Sequence, residues 1–306
     1  MKRTDFAVFL NKYLTCYLID TRGSTEKTVD SYRYAFVFLL EYYSDVLKIP
    51  ADKVCLSDIT YDNISGFSLW LQENRNNGIA TRNQRQSAIN SFLKFLMYER
   101  PEYLPEYQRI LGIPFKKSPQ KEISYLKTEG VKLLLNQVPT KGKIGLRDYV
   151  ILMILYSTGI RVTELVGIKV KDLSLTTPCT LLVHGKGQKS RFVPLNSKVV
   201  QIMKQYLNIM HYDDSVHLDD WLFINHMGKQ FTRQGICYLV QKYAEKAHRI
   251  NPELIPSDMS PHKMRHSAAM GLVASGVDLI YIKDLLGHTS VKTTEVYYDK
   301  KNVMTS

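Results

Sequence analysis

The segment 261–298 reads PHKMRHSAAMGLVASGVDLIYIKDLLGHTSVKTTEVYY. Proline is favoured at the first position of a helix, so Pro261 is expected to open one. His262 and Arg265, three residues apart, then project to the same side. A second helical run, Asp278–Leu286, closes at Gly287, since glycine most easily adopts the left-handed conformation that ends a helix. His288 follows at once, and nine residues further on stand Tyr297 and Tyr298. An imidazole, a guanidinium, another imidazole and a phenol gathered in one basic chain are equipment for attacking a phosphodiester. The guanidinium matches phosphate oxygens bidentately, the imidazoles move protons, and the phenol serves as a nucleophile. Singly these residues are ordinary, because the chain has 20 tyrosines and most tyrosines pack or lie at the surface. The argument therefore rests on spacing and on partners supplied earlier in the chain.

Those partners lie upstream. GLRDYVILMILYS, residues 145–157, is apolar on nearly all sides and reads as a buried central helix. It runs into TGIRVTELVGIKVKDL, where Gly159 permits a sharp break and places Arg161 and Glu164 one turn apart on the next helix. Either the two form a structural ion pair, or Glu164 holds the guanidinium so that its free N–H groups project into a cleft; the local sequence leaves both open. Next, CTLLVHGKGQKSRFVPL (179–195) has two β-rich arms around a glycine-lysine tip, a hairpin signal. Lys186 and Lys189 lie in or beside its turn and Arg191 follows. The GxxxxGK[ST] pattern is missing, so no ATP site is implied. Further helices are expected from Thr128, over 199–207 and over 232–248, with a short strand at 221–224. His262 and His266 are four apart, like a metal pair, but Lys263 stands where a HExxH site has its glutamate, so no metal is expected.

The N-terminal part reads as four helices, 4–20, 25–47, 61–73 and 80–98, with Thr4 and Thr60 as caps, forming a small bundle. The fourth helix begins with Thr81, Arg82, Asn83 and Arg85. This is either a solvated polar face or a face that docks on DNA phosphates and base edges. Residues 112–123, GIPFKKSPQKEI, read as a basic linker. The expected division is a helical DNA-binding domain at 1–111, the linker at 112–123 and a second domain at 124–306. The balance of 41 Lys and Arg against 29 Asp and Glu gives a net charge of +12, which favours a polyanionic partner. No apolar run approaches a membrane span and no signal-peptide core is present, so a cytoplasmic, nucleoid-associated protein without membrane contact is expected. The four cysteines are isolated, with no CxxC pair.

The ordered set resembles the tyrosine recombinase (phage integrase) superfamily. It comprises Arg161 and Glu164 in TGIRVTEL, Lys186 in the GKG hairpin before RFVPL, His262-x-x-Arg265, His288 ending LGH, and Tyr297. The resemblance is greatest to two-domain Xer-type recombinases and their integrase or transposase relatives, and it covers the whole second domain. It implies a mainly α fold: a helical core-binding bundle, SAM-like, plus an α-rich catalytic domain with a small antiparallel sheet or hairpin.

The implied function is site-specific DNA recombination through a 3′-phosphotyrosine and a Holliday junction, in integration, excision, transposition or resolution. Tyr297 would be the nucleophile, because the family places it nine residues after the histidine of LGH. Arg161 and Arg265 would hold the non-bridging oxygens, and Lys186 would protonate the leaving 5′-oxygen, as the lysine of the first GK in the turn. His262 would be general base or proton shuttle, His288 would bind the phosphate and Glu164 would support the arginines. Thr81, Arg82, Asn83, Arg85, Lys189 and Arg191 would contact DNA. The implied partner is double-stranded DNA with paired inverted core sites, held by a homo- or hetero-tetramer; no cofactor is implied. Only YDKKNVMTS follows Tyr297, so the family's subunit-linking helix is not expected, nor is an added N-terminal arm-binding domain. The rivals are a non-catalytic DNA-binding regulator on the same scaffold and a type IB topoisomerase.

Overall fold

A computed structural model describes residues 3–118, 124–185, 189–212, 215–288, 290, 294, 295 and 297. The chain divides into two compact units, Met1–Lys121 and Glu122–Ser306.

The first unit is helical. Helix α1 (Asp5–Lys12) is capped by the Thr4 hydroxyl, which accepts from the Ala7 amide. The expected single helix over 4–20 changes at Tyr13 into a π-helical segment, Tyr13–Thr21. The wider turn has a packing reason. Tyr13 and Leu18 are both fully buried, yet five residues apart in an α-helix they would point roughly 140° away from each other. Helices α2 (Glu26–Asp45), α3 (Tyr61–Glu73) and α4 (Ile79–Glu99) follow close to the expected bounds, and Thr60 caps α3 through the Asn63 amide. A fifth helix, α5 (Leu104–Leu111), was not expected; Pro105 falls in its first turn, where a missing N–H costs nothing. Aromatic rings fill the core, with Phe92 meeting Tyr13 at 5.1 Å and Phe36 at 5.2 Å between ring centroids. The segment after α5 stays with this unit. Ile113 joins its core, and its carbonyl accepts from the buried Gln86 amide at 2.7 Å.

The second unit is built around α7 (Lys143–Thr158), reached through α6 (Thr128–Leu135). Val150, Ile151, Leu152, Ile154 and Leu155 of α7 are fully buried, as its all-round apolar sequence requires. Against it pack α9 (Ser197–Met210) and α11 (Pro261–Ala274). The short α8 (Val162–Val166) leads to a three-stranded antiparallel sheet in the order β1 (Leu173–Ser174), β2 (Thr180–His184), β3 (Ser190–Pro194). The register pairs Val183 with Arg191 and Leu181 with Val193. The architecture is thus mainly α with one small antiparallel sheet. The expected strand at 221–224 is not formed. Its ends make only the isolated bridges Lys169–Trp221 and Ile224–Gln230, each to a different segment, so no continuous ladder forms. Helix α10 (Arg233–Ile250) precedes α11, and α12 (Leu279–Leu286) follows it. Among the described residues, no helix is long and apolar enough to cross a membrane.

Candidate active site

The site is assembled on the C-terminal end of α12. A helix leaves its last carbonyls without partners and carries partial negative charge there, so cations gather at it. Here three arginines from three distant segments do so. Arg191 Nε donates to the Leu285 carbonyl at 2.8 Å, and an Arg265 terminal nitrogen donates to that of Leu286 at 2.8 Å. An Arg161 terminal nitrogen reaches Gly287 at 2.8 Å. Gly287 ends the helix at φ +67°, the left-handed stop the sequence suggests. A second glycine does similar work on the other side. Gly159 closes α7 at φ +61°, and its carbonyl accepts from Arg265 at 2.7 Å.

Glu164 ties two of the three together. One oxygen accepts from Arg161 at 2.9 Å and Arg191 at 3.1 Å; the other accepts from the Arg161 amide at 2.8 Å and Arg191 at 3.0 Å. Burial alone would raise its pKa, but the hydrogen bonds from Arg191 and Arg161 outweigh it and hold the carboxyl below its usual value. Both readings of the Arg161–Glu164 pair therefore have a place. The ion pair exists, yet the Arg161 side chain stays 41% exposed while that of Glu164 is 3% exposed. Arg191, grouped with DNA-contacting residues at the sequence level, commits its guanidinium to Glu164 and the α12 end. Two guanidinium groups share the Glu164 carboxylate and Arg265 is held by backbone carbonyls, so the cluster keeps an excess of positive charge.

His262 and Arg265 share one side of α11, which starts at Pro261 behind the Ser260 cap. Arg265 is buried, and burial together with nearby Arg161 lowers its pKa to about 10, so it remains a cation at neutral pH. Burial, then Arg265, lowers the pKa of His262. His288 is held near 4 by burial, Arg265 and Arg161, hence neutral at pH 7. Its Nδ1 lies 2.8 Å from the Thr294 hydroxyl, and its ring stacks on Tyr297 at 6.4 Å and 15°.

Tyr297 is 3% exposed. Its hydroxyl lies 2.7 Å from His266 Nδ1. Burial raises the phenol pKa, with Arg265 opposing. A cavity of about 550 Å³ opens beside these groups, lined by Arg161, Arg233, Ser260, His262, Arg265 and His288. Tyr297 does not line it. The arrangement can bind an anion of phosphate size. Three arginines, two histidines and the N-terminal ends of α10 and α11 line one space.

The structure thus brings Arg161, Glu164, His262, Arg265, His288 and Tyr297 into one neighbourhood. Lys186 and Tyr298 lie outside the described residues; Lys189 is exposed beside the hairpin tip. Three residues of the site were not singled out from sequence for it. Arg233 and Cys237 come from α10, which carried no motif, and His266 was weighed only as half of a metal pair. The neighbouring His262 and its place one turn further along the same face were the available signal for His266.

In the first unit, Thr81 is exposed at the start of α4. Asn83 is engaged internally. It donates to the Lys116 carbonyl at 2.8 Å and accepts from the Lys116 amide at 3.2 Å and from Arg82 at 2.9 Å. Arg82 is buried, and Arg85 lies over the Phe38 ring at 3.8 Å. Burial lowers the pKa of both.

Residues 124–303 match the model of the phage integrase family. Over 298 residues the chain is 30% identical to a putative integrase/recombinase, y4rC, of Sinorhizobium fredii, covering 97% of this chain and 89% of that one. It is 31% identical over 287 residues to a tyrosine recombinase XerC of Herpetosiphon aurantiacus, covering 94% and 89%. Among solved structures, the fold is shared with the XerH site-specific recombinase bound to difH substrate (TM-score 0.70, 24% identity, 90% of this chain and 77% of that one). It is shared likewise with the Tn1549 transposon integrase in complex with transposon right end DNA (TM-score 0.72, 17% identity, 93% of each chain).

Proposed function

The chain belongs to the phage integrase family of tyrosine recombinases, and from that premise we propose that it is a site-specific DNA recombinase acting through a covalent 3′-phosphotyrosine. One observation carries the reading. Arg161 and Arg265, 104 positions apart in sequence, are both anchored on the end of α12 beside a basic cavity, with the phenol of Tyr297 packed against the histidines of the same cluster.

In this mechanism the scissile phosphate occupies the cavity. Arg161 and Arg265 hold its non-bridging oxygens and stabilise the charge that grows in the phosphorane-like transition state. His288, neutral, hydrogen-bonds the phosphate, and Glu164 keeps Arg161 and Arg191 in place. The Tyr297 oxygen bonds to phosphorus as the bond to the 5′-oxygen breaks, and Lys186 protonates that leaving oxygen. His262 serves as general base or proton shuttle. The phosphodiester energy is kept in the tyrosyl ester, so a 5′-hydroxyl from a partner strand reverses the step and exchanges strands through a Holliday junction. The substrate is duplex DNA with paired inverted core sites, bound by four subunits. The exposed Thr81 and Lys189 supply contacts to DNA, with Arg82 and Arg85 adding positive charge behind them.

The test is a nicked duplex from which the cleaved fragment diffuses away, carrying a site selected from a randomised pool by binding. The unaltered protein is expected to accumulate a covalent adduct, Tyr297→Phe none and Tyr298→Phe a normal amount. Loss of the adduct in Tyr298→Phe with retention in Tyr297→Phe would overturn the assignment. Relaxation of a supercoiled plasmid with no exchange between paired sites would instead mark a topoisomerase.

A further inference from the structure

Resting on the proposed role of Tyr297, we infer that His266 is a catalytic residue of the same reaction: the base that holds the phenol and takes its proton as the oxygen attacks phosphorus.

The nucleophile's hydroxyl is deeply buried and needs both a partner and an exit for its proton. His266 Nδ1 supplies the first at 2.7 Å. With the ring neutral and its own proton on Nε2, Nδ1 is an acceptor and the phenol donates to it. The other two imidazoles of the cluster are differently occupied. His288 lies nearly parallel to the Tyr297 ring, 15° between planes, and its Nδ1 is with the Thr294 hydroxyl. With that nitrogen engaged and the ring centroids 6.4 Å apart, His288 makes no hydrogen bond to the Tyr297 oxygen among the described residues. His262 lines the cavity, and its ring meets that of His266 edge to face at 4.2 Å. The tyrosine proton therefore passes to His266 in place of His262, which keeps the part of proton shuttle on the phosphate side. The two residues stand one helical turn apart on α11, as two stations on a single face.

The step balances without any outside reagent. The phenol proton passes to the Nδ1 lone pair, the phenol oxygen bonds to phosphorus and the phosphorus–5′-oxygen bond breaks. The departing oxygen takes its proton from the separate acid, and His266 is left as an imidazolium. The reverse attack by a 5′-hydroxyl expels the tyrosine oxygen, and His266 returns the proton to it. The bulk of the ring also matters, since His266 sits 5.6 Å from the Tyr297 ring and keeps it in place before attack.

Two variants and two substrates separate this role from a merely structural one. His266→Phe keeps the ring and removes the acceptor; His266→Asn keeps an acceptor oxygen close to the position of Nδ1. Each is compared with the unaltered protein for adduct formation on the selected nicked duplex, after its unfolding transition has been checked. His266→Phe is expected to slow adduct formation by about 10²- to 10⁴-fold with DNA affinity unchanged, and His266→Asn, whose amide oxygen accepts a hydrogen bond but cannot take a proton, to recover less than about tenfold of that loss. The second substrate carries sulfur in place of the bridging 5′-oxygen. Sulfur leaves without a proton, so the deficit of His266→Phe should persist on it. A rate for His266→Phe within threefold of the unaltered protein, or relief of its deficit by the sulfur leaving group, overturns the inference. So does a His266→Asn protein whose rate lies within threefold of the unaltered protein, because a hydrogen bond to the phenol would then suffice without a base. No adduct from the unaltered protein on either substrate would instead overturn the reading of Tyr297 on which the inference rests.

Discussion

At the scale of single residues, the two anchored arginines differ in a way that makes them separable. Arg265 is buried and satisfies the carbonyls of Gly159 and Leu286, so removing it strands two acceptors as well as a charge. Arg161 is more open, and Glu164 keeps Arg191 when Arg161 is gone. Arg161→Ala should therefore lower adduct formation by about 10²- to 10³-fold with little change in stability. Arg265→Ala should lower it as far and also cost about 1–3 kcal/mol for each stranded carbonyl. Adduct rates and urea midpoints, measured side by side, check the contrast. The histidines set a pH window. His288 titrates near 4 in the folded chain instead of at 6.5, so between those values the unfolded chain binds a proton that the folded chain refuses. Its contribution to stability is full above pH 6.5 and is lost as pH falls toward 4; His262, also lowered, acts in the same direction. Urea midpoints at pH 7 and pH 5 should diverge more in the unaltered protein than in His288→Asn.

At the scale of elements, the end of α12 is the component on which the site depends, and it shows what a sequence can reveal. The opening of α11 at Pro261, the stop at Gly287 and the three-residue spacing of His262 and Arg265 were legible because helix ends and periodicity are written in side chains. The Arg161–Glu164 pair was legible for the same reason. The carbonyls of Leu285, Leu286 and Gly287 were not, since a backbone acceptor leaves no mark in composition. For that reason the hold of the Arg191 guanidinium on Glu164 was not legible in the sequence. The strand expected at 221–224 failed on a short apolar run that gives no reliable period. The π-helical turn at Tyr13 was hidden because it is set by what Tyr13 and Leu18 pack against. Gly159 is the most exacting position in the frame. Its φ is +61°, and an added Cβ would sit 2.5 Å from Leu286 Cδ2. Gly159→Ala should cost about 2–4 kcal/mol from strain and overpacking together, read as a fall in the urea midpoint. Adduct formation should fall with it, because the Gly159 carbonyl positions Arg265.

At the scale of the whole molecule, a chain with a net charge of +12 carries a helical unit and a second unit in which distant segments converge on one basic cavity. On the proposed reading the excess charge draws in DNA without choosing its sequence, while the cavity singles out one phosphate. The mainly α fold with a small sheet was readable from periodicity and from the family resemblance. What the resemblance could not convey is the resting state of the phenol, turned onto His266 and away from the cavity surface. The account stands on the identity of the atom that becomes attached to DNA. The most direct measurement is mass spectrometry of the trapped adduct after nuclease and trypsin digestion, with the modified residue located by fragmentation of the 293–300 peptide. The account predicts a nucleotide joined through its 3′-phosphate to Tyr297; attachment at Tyr298, or on any other peptide, would contradict it.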